Sequence, residues 1–205
     1  MRNDLWSLKT VNIRDYADDK HKTVDDTVFG GGSGMLMKPD IVANSLDKNI
    51  SKGEKIFYLS PKGKKFNQSF ANYLSKQNGI NLICGHFEGV DDRLLSTRNI
   101  EEISIGDYVL SGGETAAFVI LDAVLRLIPG VLGNKDSIKD ETFENSLLEY
   151  PQFTKPKIWE GKSVPEVLFS GDHAKIKSWR LSQSEDITRR KRPDLWEKYL
   201  KDKKQ

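Results

Sequence analysis

Cysteine, histidine and long apolar runs are nearly absent from this chain of 205 residues, and each shortage closes off a class of protein. A single cysteine, Cys84, leaves no partner for a disulfide and no Cys-rich zinc site. The three histidines, His21, His86 and His173, lie far apart and show no ligand spacing. That argues against a histidine metal centre or a Ser-His-Asp triad. The most apolar run, 116–132, is interrupted by Asp122, Arg126 and Pro129, so no segment reaches the roughly 18–20 residues that span a bilayer. The opening Met1-Arg-Asn-Asp-Leu-Trp6 lacks the apolar core of a secretory signal, and the expectation is a cytoplasmic protein with no membrane partner. No internal repeat or low-complexity tract is present.

The remaining composition, 37% hydrophobic and 30% charged, suits one compact domain or a domain with a small appendage. Net charge is only +2 but unevenly spread: residues 175–205 carry eleven Lys/Arg against five Asp/Glu, leaving 21 against 25 before them. A basic tail on an acidic body suggests a polyanion partner, since phosphate neutralisation depends on local charge. A solvated helical face accounts for the same run.

Lys55-Ile-Phe-Tyr-Leu-Ser60, followed by Pro61-Lys-Gly63, reads as a short buried strand ending in a turn, and Ile80-Asn-Leu-Ile-Cys84 before Gly85 repeats the pattern. Between them Phe66, Phe70 and Leu74 recur at helical spacing. Strand, helix and strand in so short a stretch are the βαβ signature of a parallel sheet. A third strand is expected from Ile103 to Leu110, ending at Ser111-Gly-Gly113. Phe118, Leu121, Val124, Leu125 and Ile128 then mark a long helix stopped by Pro129-Gly130. The fold class is α/β, with ligand loops at the C-terminal ends of the strands. From Gly133 to about Lys162 the pattern turns polar and reads as a linker. Beyond Val164, Ile176, Trp179 and Leu181 regain helical spacing, with Asp172 placed to cap and Pro193 opening a last helix.

Three glycine clusters stand out: Phe29-Gly-Gly-Gly-Ser-Gly-Met35, Gly85-His-Phe-Glu-Gly89 and Ile105-Gly-Asp-Tyr-Val-Leu-Ser-Gly-Gly-Glu114. None is a P-loop, because Gly63-Lys64 lacks the earlier glycine and Gly133-Asn-Lys135 breaks the spacing. Nor is there a dinucleotide fingerprint, since Met35 stands where a third glycine is required. Three glycine turns after strands still imply a ligand held by backbone groups, because glycine lets the main chain approach closely. Glu88, Asp107 and Glu114 sit on these turns, either to accept hydrogen bonds from a ribose or base or as solvated loop carboxylates. Arg126 falls among Val124, Leu125, Leu127 and Ile128; it either snorkels to the helix edge or is held for an anionic substrate.

Longer stretches are more specific. Asn12-Ile-Arg-Asp-Tyr-Ala-Asp-Asp-Lys-His-Lys-Thr-Val-Asp-Asp26, Gly30-Gly-Gly-Ser-Gly-Met35 and Ser104-Ile-Gly-Asp-Tyr-Val-Leu-Ser-Gly-Gly-Glu114 closely resemble the bacterial tRNA (guanine-N1)-methyltransferase family, TrmD. The resemblance continues through Tyr58-Leu-Ser-Pro61, Pro129-Gly-Val-Leu-Gly133 and Ser170-Gly-Asp-His173 with Trp179-Arg180, and covers essentially the whole chain. It implies a knotted SPOUT-type parallel-sheet domain with helices on both faces over 1–132, a linker over 133–163 and a small helical tRNA-binding domain over 164–205. It also implies a homodimer that transfers a methyl group from S-adenosylmethionine to N1 of guanosine 37, beside the anticodon, with magnesium assisting and no dedicated protein metal site.

Carried over residue by residue, the resemblance assigns the cofactor pocket to Tyr58, Leu59, Ser60, Gly85, Glu88, Gly89, Ile105, Gly106, Tyr108, Leu110, Gly112 and Gly113. It assigns the active-site arginine to Arg126. The family's catalytic aspartate precedes a Ser-Phe pair; here the stretch is Asp140-Glu-Thr-Phe143, so the aligned carboxylate is Glu141 with Asp140 beside it. Guanine N1 is a poor nucleophile until its proton leaves, which calls for a base, and the charge then spreading to O6 calls for a cation. Glu141 or Asp140 is the candidate base and Arg126 the candidate electrophile. In the family the linker carboxylate comes from the partner subunit, so a monomer should be inactive. Lys175, Lys177, Arg180 and Arg189 to Arg192 are placed to follow the anticodon stem-loop.

Against the family's pattern, in which a first strand precedes the stretch where Met1 falls, the expectation is either a true start upstream or a compromised protein; smaller departures are Val28-Phe29 in place of Pro-Tyr, Phe87 in place of Tyr and Ala116 in place of Pro. Two alternative readings follow: a non-catalytic S-adenosylmethionine or RNA-binding remnant, and a SPOUT methyltransferase acting on another RNA.

Overall fold

The computed structural model describes residues 5–51, 53–132 and 146–203. It divides into two compact units, Met1–Gly133 and Asn134–Gln205. In chain order the first holds an antiparallel ribbon of β1 (Asp25–Thr27) and β2 (Met35–Met37), then α1 (Pro39–Asn49), β3 (Ile56–Lys65), α2 (Gln68–Leu74), β4 (Asn81–Ile83), α3 (Asp92–Thr97), β5 (Glu101–Ser104) and α4 (Glu114–Leu125).

The central sheet has the order β4-β3-β5, all parallel. Strand periodicity sorts the residues of β3 onto two faces. Phe57 and Leu59 turn to one side, where Ala71, Leu74, Ile103, Ile120 and Val124 from α2, β5 and α4 close a core. Tyr58 turns to the other, against Met37, Val42, Leu46, Ile83, Leu94 and Ile100. Each fully buried aliphatic or aromatic side chain contributes about 1.5–3 kcal/mol relative to exposure, so β3 is buried on both faces because its sequence is apolar at both parities. The result is a parallel sheet with helices on both faces.

Several expected elements shift. Pro61-Lys-Gly63 does not end β3: the strand runs on to Lys65, but its register against β5 slips, with both Leu59 and Lys64 opposite Ile103. The slack forms a bulge in which Gly63 lies on the backbone of Glu102 and Ile103, a spot with no room for a side chain. The third strand stops at Ser104 rather than Leu110, because Gly106 adopts φ +155° and the Ser104 hydroxyl closes on it, accepting from its N–H at 3.2 Å. The helix after it begins earlier than expected, at Glu114, and Arg126 forms its C-cap. Phe66 lies just outside α2, its ring 6.1 Å from that of Phe70, while the Asn67 side chain caps the helix by accepting from Phe70 N at 2.9 Å. The first glycine cluster is the loop of the β1–β2 hairpin.

Beyond β4 no strand is paired among the described residues. A groove of about 640 Å³ runs along that edge, lined by residues 8–14, by Val42 and Leu46 of α1, by 80–84, and by Ala117, Phe118 and Leu121 of α4.

The second unit contains a hairpin of β6 (Ile158–Trp159) and β7 (Lys162–Ser163), lying inside the stretch expected as linker, followed by α5 (His173–Lys191) and α6 (Pro193–Asp202). Asp172 caps α5, accepting from Ala174 N and Lys175 N, both at 3.1 Å. Pro193 opens α6, as its position predicts. Thr188 is buried, donating to Ser184 O at 2.6 Å and accepting from Leu148 N at 2.8 Å. Trp179 packs half-buried against Phe153, ring centres 6.3 Å apart. Among the described residues no helix is long and apolar enough to cross a membrane.

Candidate functional site

The three glycine clusters, separate in sequence, meet at the segment 84–89 that leaves β4. The first arrives through the β1–β2 hairpin: Glu88 N donates to Met35 O and Met37 N donates to Gly89 O, each at 2.9 Å, and the Glu88 side chain lies against Gly34. The third arrives through the turn before α4, where Gly113 N donates to Gly85 O at 2.9 Å. Beneath them the Tyr58 ring fills the space that a side chain on Gly85 or Gly89 would need. Burial pushes the Tyr58 hydroxyl above its ordinary pKa, the Val90 backbone bond opposing and Glu102 adding to the rise. Tyr58 thus supports the turns from below.

Gly113 has an ordinary helical φ of −76°, so its glycine is required by space rather than by backbone conformation. A Cβ there would lie 2.7 Å from Cys84 Cα and 3.0 Å from Gly85 N. Only a residue without a side chain lets the turn at 112–113 dock this closely on 84–85.

One pair at this junction was not legible in the spacing of residues. His86 Nε2 is 2.6 Å from Glu114 Oε1, joining the 84–89 turn to the first residue of α4, with Gly112 wedged against both. Burial pushes the Glu114 carboxyl up, but the His86 hydrogen bond and charge and its own backbone N–H outweigh it, leaving the group below its ordinary range. The pair is half exposed, and its value is to tie two turns together rather than to stabilise the fold. Cys84, on the same segment, is pushed up to about 11, first by burial and then by the Glu114 charge. At pH 8 about one thiol in a thousand is then ionised, so alkylation by a maleimide or iodoacetamide is expected to be far slower than for an exposed cysteine, rising with each unit of pH. Labelling as fast as a free thiol overturns that.

Of the remaining expected residues, Leu59 is buried in the core and Ser60 Oγ accepts from Lys62 N at 3.2 Å. Ile105 and Gly106 open the third turn; Tyr108 folds back over Gly106, its hydroxyl donating to Ile105 O at 3.4 Å, and Leu110 is exposed beside it. Asp107 is exposed, 4.0 Å from Lys65 Nζ. Arg126 is not brought to these turns. It caps the opposite end of α4, about 20 Å along the axis from Gly113. Asp140 and Glu141 lie outside the described residues.

Around the turns Phe87, Tyr108 and Leu110 are exposed apolar side chains and Glu88 and Glu114 are carboxylates on the same segments, a mixture that suits a ligand part planar and apolar and part cationic. Comparison with known proteins supplies the class. A family model described as tRNA (Guanine-1)-methyltransferase TrmD matches residues 1–198. A tRNA (guanine-N(1)-)-methyltransferase of Pelagibacter ubique is 74% identical over 201 residues, covering 98% of this chain and 88% of the relative. Enzymes of the same description from Brucella canis and Bartonella tribocorum are each 53% identical, covering 97% and 99% of this chain and 81% and 87% of theirs. With glycine turns gathered at the strand ends and likeness running from the first unit into the last helix, the chain belongs to the tRNA (guanine-N1)-methyltransferase family, TrmD.

Proposed function

We propose that this chain transfers a methyl group from S-adenosylmethionine to N1 of guanosine 37 of tRNA. The observation that carries the reading, beside family membership, is the convergence of all three glycine turns on segment 84–89, tied to one another by main-chain hydrogen bonds. The turns carrying Tyr58, Leu59, Ser60, Gly85, Gly89, Ile105, Gly106, Gly112 and Gly113 would frame the cofactor, Tyr108 and Leu110 would cover its apolar face, and Glu88 would meet its cationic or ribose part. When bound it supplies an electrophilic methyl on a sulfonium and leaves as the neutral thioether.

The chain's own residues do the rest. A linker carboxylate, Glu141 or Asp140, takes the N1 proton as N1 forms its bond to the methyl carbon and the sulfur–methyl bond breaks. Arg126 meets the negative charge that moves to O6. Because Arg126 stands at the far end of α4 from the turns, a complete site is read as one drawing on two copies of the chain. Exposed Phe118 and Val119 on α4 and Val109 beside the third turn give such a homodimer an apolar face. Magnesium assists through RNA and substrate. The first unit is read as the SPOUT domain, knotted where the chain passes through the turns; the basic helices of the second grip the anticodon stem, and the protein works in the cytoplasm.

The test is transfer of label from S-adenosylmethionine to an unmodified tRNA transcript with guanosine at position 37, beside a twin carrying adenosine there. Label in the first alone supports the reading. Label in neither, with cofactor still bound, favours a non-catalytic module, and equal label in both favours another target.

A further inference from the structure

We infer that the β6–β7 hairpin is a stacking platform for an unpaired base of the RNA, with Trp159 as the ring and Lys157 and Lys162 as its phosphate contacts. This rests on the reading that the chain acts on tRNA. Trp159 precedes a two-residue turn, Glu160 at φ +48° and Gly161 at φ +73°. Two successive positive φ angles are the geometry that matches strand twist, so the tip is well defined although the ribbon is short. The pairs are Ile158 with Ser163 and Trp159 with Lys162, extended by Val164 N donating to Lys157 O at 3.0 Å.

Strand alternation then fixes what each face shows. Lys157 and Trp159 share one face, and cross-strand pairing sets Lys162 beside the indole. Trp159 is 63% exposed, an unusual cost for the largest apolar side chain. Lysine is depleted at protein–protein interfaces, yet this ring is framed by lysines, and residues 153–164 hold three lysines against one glutamate. A flat apolar ring among cations suits a partner with a π face on an anionic backbone, which is a nucleotide. Nearby, Lys157 Nζ lies 4.5 Å from the Phe169 ring centre and the Arg180 guanidinium 4.8 Å from that of Tyr150, continuing the alternation of cation and aromatic across this unit. Stacking needs an unstacked base, so the occupant is a loop or splayed nucleotide rather than duplex.

The experiment compares the unsubstituted chain with Trp159→Ala, Trp159→Phe and a Lys157→Gln/Lys162→Gln double variant, measuring Kd for the tRNA transcript, KM for tRNA and for S-adenosylmethionine, and sedimentation. Trp159→Ala is expected to raise the tRNA Kd and KM by about 5- to 150-fold with the cofactor KM unchanged, Trp159→Phe to restore most of it. The lysine pair is expected to reduce the salt dependence of binding by about two counterions. Unchanged tRNA affinity in Trp159→Ala overturns the inference, as does an altered assembly state with RNA binding intact, which would make the face a protein contact. Should the unsubstituted chain transfer no methyl group, the transfer reading falls while the Kd comparison still decides the hairpin.

Discussion

Arg126→Ala is expected to lower the rate of methyl transfer by about 10²- to 10³-fold while S-adenosylmethionine binds as before, the scale of losing one pre-organised group aimed at developing charge. Its place supports the separation of effects. Arg126 caps α4 through its backbone, N–H to Asp122 O at 3.3 Å, a bond that alanine keeps, and it stands a helix length from the glycine turns. Arg126→Lys restores charge without the planar fork and should recover only part of the rate. A comparable loss is expected for one of Glu141→Gln and Asp140→Asn, whichever carries the base. Stopped-turnover rates with labelled cofactor, read beside cofactor titration, check all four. If Arg126→Ala weakens cofactor binding as much as rate, it belongs to the pocket; if both carboxylate variants keep full rate, the linker base is wrong.

Gly113→Ala should have the opposite signature, weakening cofactor binding first. Glycine to alanine at a compatible φ usually stabilises by about 0.4–1 kcal/mol through the unfolded chain. Here the new methyl meets Cys84 Cα at 2.7 Å and Gly85 N at 3.0 Å, backbone atoms that cannot swing aside. Overpacking of this kind costs about 1–3 kcal/mol, so the clash wins and the turns part, breaking the bond from Gly113 N to Gly85 O. Melting is expected to fall by several degrees, and cofactor affinity by at least tenfold. Gly79→Ala is the control, with nothing within 4 Å of its added methyl, and should leave cofactor affinity unchanged and melting equal or slightly raised. Equal behaviour of the two variants would sink the steric account.

How much of this was legible depended on the length of the signal. β3 and β4 announced themselves by apolar runs, although the turn expected to end β3 is a bulge within it, α2 and α4 by spacing, and α5 and α6 by Asp172 and Pro193. The three-residue β1 and β2 carry too few residues for any period to register, and their pairing is settled by contact with Val90 and Gly89 rather than by propensity. α1 was passed over although Pro39 and the buried Ile41, Val42 and Leu46 form a usable pattern. Tyr108, Val109 and Leu110 look like strand residues, but Gly106 turns the chain before they can pair, so β5 ends short of them and leaves them exposed. The glycine turns were visible singly. Their meeting, and the His86–Glu114 tie across 28 positions, came from the topology alone.

The parallel order β4-β3-β5 also bears on how the chain acquires its shape. Phe57 pairs with Leu82, 25 positions on, and with Glu101, 44 positions on. Closure entropy grows only logarithmically, so the longer loop costs about 0.5 kcal/mol more, too little to order the two docking events. Synthesis does order them: β4 leaves the ribosome about 1–4 s before β5, at ordinary elongation rates, and loop closure is far faster. The β3-α2-β4 unit therefore has time to form first. The 84–89 segment is then in place as the platform on which the last glycine turn is assembled.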